Sequence, residues 1–87
     1  MMHNLKILQP FFKSVIRGEK NFEIRNNSDR GFQKGDVVNL IEIKRDAIID
    51  TPIGREQLIN INYVSNYNQP ANQVVFGFYL VGDVVEN

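Results

Sequence analysis

The sequence predicts a small α+β domain in which one main helix flanks a strongly curved sheet or barrel of about five strands. Three observations carry that expectation. At 87 residues the chain is one domain (1–87), long enough for a single modest core and too short for two. Its 43% hydrophobic and 10% aromatic content is that of an ordinary globular protein. Only one stretch places apolar residues at helical spacing; elsewhere they alternate or cluster in short runs between turn residues.

The elements follow in order. Leu5 and Ile7 alternate with Lys6 in a first strand that ends at Gln9-Pro10. Pro10 suits the first turn of a helix, where its missing N–H is not needed, and Gly18 suits a left-handed stop. Between them Phe11, Phe12, Val15 and Ile16 form one stripe, which predicts that both helix aromatics are core residues. A second strand is expected over Asn21 to Arg25, with Phe22 and Ile24 buried on one side and Glu23 and Arg25 on the other.

The polar run Asn26-Asn27-Ser28-Asp29-Arg30-Gly31 reads as a loop, and Phe32 to Asp36 as an apolar anchor followed by a tight turn. Val37 to Lys44 is a third strand. Residues 45–54 are expected to connect it to a fourth, where Ile59, Ile61 and Tyr63 alternate with Asn60 and Asn62. A polar loop over 66–72 precedes a last strand, Val74 to about Val81, which is apolar on both faces and so predicted to lie centrally.

Composition removes several function classes. The chain has no cysteine, which for so small a domain favours a reducing compartment. No apolar run approaches a membrane span and the amino terminus has no signal-peptide core, so a cytoplasmic protein without a membrane partner is expected. His3 is the single histidine, so a transition-metal site would lack its usual ligands; it reads as a strand-start residue. Neither metal nor cofactor is expected, and no phosphate-binding G-x-x-x-x-G-K-[ST] loop occurs.

The net charge of zero conceals an asymmetry. Residues 1–45 hold nine Lys or Arg against five acids, and the remainder only Arg55 against five acids. A polyanion could dock on the basic first half, and a protein partner on the acidic second half, unless folding interleaves the two.

The segment Gly18-Glu19-Lys20-Asn21-Phe22-Glu23-Ile24-Arg25 carries the functional signal. Glu23 and Arg25 would project from one strand face roughly 7 Å apart, with Lys20 at the corner where the helix gives way to the strand. Arg offers a planar fork for a phosphate or base edge, Lys a mobile point charge, and Glu an acceptor for exocyclic amines. Taken alone, the same residues also fit an internal ion-pair network closing one end of the fold.

Gly18, Lys20, Glu23 and Arg25 match G-x-K-x-x-E-x-R, and in this the chain resembles the ASCH (activating signal cointegrator homology) domain of the PUA-like superfamily. The likeness is dense over residues 3–43, including Phe32-Gln33 and Gly35-Asp36, and looks like a compact bacterial and phage-type branch. It implies a small PUA-like β-barrel with a cleft at the signature, binding RNA or a nucleotide-like ligand through Lys20, Glu23 and Arg25. Arg17 and Arg30 would extend the cationic rim, and Tyr67, in a polar loop, could stack on a base.

A competing class is catalysis. Some ASCH relatives are amidohydrolases acting on acylated nucleosides, with a Lys at the signature position together with a hydroxyl residue and a Glu. Lys20 occupies the matching place, but the position that carries the hydroxyl in that branch is Glu23 here, a departure that counts against turnover. In that alternative Lys20 and Glu23 would be the catalytic pair.

Overall fold

A computed structural model of the chain describes residues 1–28 and 30–87; Asp29, part of the expected polar loop, lies outside the described residues. The elements run β1 (Met2–Leu8), α1 (Gln9–Ile16), β2 (Phe22–Asn26), β3 (Val37–Asp46), β4 (Ile49–Ser65) and β5 (Gln73–Glu86). The five strands form one sheet in the order β1-β3-β4-β5-β2. Among the described residues only β1 and β3 pair in parallel, which needs a crossover connection such as the one through α1. The other pairs are antiparallel.

No backbone ladder joins the outer strands β1 and β2, so the sheet is open rather than a closed barrel. Its two edges nevertheless meet through side chains. Arg25, from β2, donates from Nη2 to the Lys6 carbonyl of β1 at 3.0 Å. Arg30 donates to the Asn4 carbonyl at 3.1 Å. A sheet whose first and last strands stand one arginine apart is curled, and its inner face is the core. Leu5 and Ile7 of β1, Val38 and Leu40 of β3, Ile59 and Ile61 of β4 and Phe76 and Phe78 of β5 all point there, with Phe12 and Val15 of α1.

Alternation and capping place most elements where the sequence puts them. The helix has Pro10 in its first turn and ends before Gly18, whose φ is +76°. β5 has neighbours on both sides, β4 and β2, although Tyr79, Leu80 and Val81 remain exposed.

Three expectations are corrected. The long connection over 45–54 is instead a tight hairpin between β3 and β4: Ala47 takes a φ of +53° and pairing resumes at Asp46 and Ile49. Phe11 is not core but half exposed, because the helix is one short amphipathic segment whose buried stripe is filled by Phe12 and Val15. Most consequentially, β2 faces the other way. Phe22 and Ile24 are exposed while Glu23 is only 4% exposed, since Glu23 stands opposite Phe76 and shares its inward side.

A second charged residue lies deeper still. Glu42 is wholly buried, and Arg55 grips it with paired bonds of 2.8 and 2.9 Å. The register of β3 on β4 shifts between Ile41 and Ile43, giving β4 a bulge with Gly54 at a φ of +115°. The bulge carries Arg55 to Glu42 and sets its guanidinium 5.2 Å from the centre of the Phe12 ring.

Candidate functional site

The signature residues meet in the gap between the two sheet edges. At the helix end, the Ser14 carbonyl accepts from the N–H groups of both Glu19 (2.9 Å) and Lys20 (3.1 Å). Those two bonds fix the direction in which the chain leaves α1, so Lys20 is delivered to the mouth of the gap. Glu23 then points inward from β2 and is held by two cations: the Lys20 ammonium bonds Oε2, and Arg25 Nη2 bonds Oε1 at 2.7 Å. A buried carboxylate is tolerable only with such partners.

Arg25 ties the arrangement to the opposite edge. Its Nη2 serves both Glu23 and the Lys6 carbonyl. Among the described residues its Nε and Nη1 make no hydrogen bond, leaving donors of the guanidinium fork for a ligand.

Around this triad lies a cleft of about 410 Å³. Lys6, Lys20, Arg25 and Arg45 supply four cations to its lining against the one carboxylate of Glu23. Arg45 is partly engaged, bonding Asp50 at 2.6 and 3.2 Å, which holds that carboxyl below its usual range. Two aromatic rings complete the wall. The Lys20 ammonium stands 5.3 Å from the Phe11 ring centre and 5.4 Å from that of Phe22. Phe11 is 50% and Phe22 44% exposed, so each keeps aromatic surface open to a ligand. Four cations, a buried acceptor and two rings can neutralise an anion and stack on a planar group at once.

The other residues singled out from the sequence lie apart. Arg17 is exposed, 3.9 Å from Glu19, and Tyr67 is 80% exposed in the loop before β5; neither lines the cleft. Arg30 lines a neighbouring cleft that also contains Arg25. His3, a strand-start residue as expected, is buried and meets Asp36 at 2.8 Å. Burial alone would raise the Asp36 carboxyl, but the bonds from His3 and from the Gln33 N–H outweigh it and hold the group below its usual value. The pair fastens the start of β1 to the turn before β3.

Sequence reasoning did not single out Lys6, Phe11, Phe22 or Arg45 for the site. The alternation of β1 marked Lys6 as outward, but only the curl of the sheet brings it beside β2. For Phe11 and Phe22 the same apolar periodicity that identified the elements disguised the rings as core.

Among the described residues there is no group of three or more His, Asp or Glu suited to hold a metal ion, and no helix long and apolar enough to cross a membrane. A protein-family model described as a domain of unknown function, DUF3850, matches residues 2–78. No curated protein matches the chain.

Proposed function

The chain belongs to the DUF3850 family, and we propose that it binds RNA or a nucleotide-like ligand in the cleft between β1 and β2. The observation that carries this reading is the pairing of four cations with two half-exposed phenylalanine rings around one buried carboxylate. A phosphate group satisfies the uncommitted donors of Arg25 with Lys6 and Arg45, while a base stacks on Phe11 or Phe22. The resemblance to the ASCH domain supports the same reading, and with it a PUA-like barrel whose open seam serves as the binding cleft.

The amidohydrolase alternative is less well supported. Glu23 stands where that branch carries its hydroxyl residue, and both of its oxygens are occupied by cations, Oε2 by Lys20 and Oε1 by Arg25. A protein-interaction role through the acidic second half is also less well supported, since two of its five acids, Asp50 and Glu56, are bonded to Arg45 and Asn39 of the chain itself.

Titration of a fluorescent single-stranded RNA at roughly 50 and 200 mM salt tests the proposal. The logarithm of the affinity should fall with a slope of about 0.7 per phosphate engaged. Lys20→Ala combined with Arg25→Ala, in protein shown by circular dichroism to stay folded with the Glu23 carboxylate stranded, should flatten that slope and weaken binding about tenfold or more. Affinity indifferent to salt and to the double substitution would contradict it. Turnover of an acylated nucleoside, lost in Lys20→Ala, would favour the enzyme instead.

A further inference from the structure

The seam between β1 and β2 holds more than one cleft. Beyond Arg25 lies a second, of about 380 Å³, lined by Leu5, Asn26, Ser28, Arg30 and Phe32 together with Arg25 itself. Arg25 is the residue the two clefts have in common. Each falls in the range of about 300–1,000 Å³ that holds a small organic ligand. Arg30 bridges to the Asn4 carbonyl through Nη1 alone, and among the described residues its Nε and Nη2 make no hydrogen bond.

Resting on the proposed nucleotide reading, we infer that the ligand is a single-stranded oligonucleotide lying along the seam, with successive nucleotides in the two clefts and the phosphodiester between them on Arg25. A free mononucleotide would use only the first cleft. It would leave unexplained why a second cationic cleft of similar size continues the same gap. The linking phosphate would meet the uncommitted Nε and Nη1 of Arg25, and the next phosphate Arg30. The second cleft has no exposed ring comparable to Phe11 or Phe22, so its contribution is mainly through phosphate and polar contacts with Asn26 and Ser28. Stacking on Phe11 or Phe22 requires a base whose face is free, which a single strand offers and a closed duplex does not.

The experiment compares adenosine 5′-monophosphate with 5′-phosphorylated di-, tri- and tetraadenylates, using wild-type protein and Arg30→Ala. Affinity should rise about tenfold from mono- to dinucleotide, and the salt slope by about 0.7 for the added phosphate. Arg30→Ala should lower dinucleotide affinity severalfold and leave the mononucleotide unchanged. Arg30→Lys, which keeps the charge, should retain most of the affinity and guards against a loss caused by loosening the bridge to Asn4.

Mononucleotide binding with no gain on lengthening, or an equal effect of Arg30→Ala on both ligands, would overturn this inference while leaving the nucleotide reading intact. Failure of every nucleotide to bind would overturn both. A polyglutamate peptide of matched charge binding as tightly as the tetranucleotide would also overturn it, since the seam would then be a generic polyanion site.

Discussion

Replacing Arg55 by Ala should cost the fold about 3 kcal/mol, the largest single-site loss of stability expected outside the apolar core. An intact buried pair contributes little net, but removing one partner strands the other's charge. Here the partner left behind is Glu42, which has no exposure at all. Arg55 is itself about a third exposed, which sets the expectation at the lower end of the usual 3–5 kcal/mol range. For a domain this small the melting temperature should drop by more than about 10 °C.

The pH dependence identifies the cause. The hydrogen bonds from Arg55 hold the Glu42 carboxyl below its ordinary 4.5. A carboxyl depressed on folding stabilises the native state above the unfolded value, and that contribution is lost as pH falls through the folded one. In Arg55→Ala the burial penalty is much less offset, Glu42 takes up a proton more readily, and the variant's deficit should shrink as pH falls from neutral through 4.5, where the wild type also begins to lose its contribution. Thermal melts across pH check this. A deficit independent of pH would mean that lost packing against Phe12, not the stranded charge, accounts for it. The pair Glu42→Leu with Arg55→Met should recover much of the stability.

Substituting Leu for both Phe11 and Phe22 should weaken single-stranded RNA binding about tenfold to a hundredfold, at the cost of about 1 kcal/mol of stability or less. Stacking contributes about 1–3 kcal/mol per base, and Leu keeps apolar bulk while removing the ring face. Half-exposed side chains have little burial to lose. Since the phosphate contacts remain, the salt slope should stay at the wild-type value, the opposite signature to the loss of Lys20 and Arg25. Unchanged affinity in the Leu variant would show that the rings are not a base platform.

How much of this was legible in the sequence depends on the range of the interaction involved. Pro10 and Gly18 bound the helix correctly because a missing N–H and a left-handed φ are local requirements. The convergence of Lys20, Glu23 and Arg25 was also legible, because strand alternation puts Glu23 and Arg25 on one side whichever way the strand faces. That direction was not legible. Apolar residues normally turn inward, and in β2 the rule fails because two cations make Glu23 the better inward residue, leaving Phe22 and Ile24 outside. Arg55 was hidden by a different cause: its partner Glu42 is reached only through a bulge in β4, a non-local feature of register. Lys6 and Arg45 joined the site only through the curl of the sheet, a non-local feature that brings its two edge strands, β1 and β2, face to face.

The most direct test of a ligand site between β1 and β2 is a backbone amide NMR titration of the protein with a short single-stranded RNA. Shift changes should concentrate at Lys6, at Lys20 to Arg25 and at Arg45, with a weaker set at Asn26, Ser28 and Arg30. Changes centred instead on the amide-rich loop over 66–73, or on the exposed face of β4 and β5 around Tyr63 and Tyr79, would contradict it.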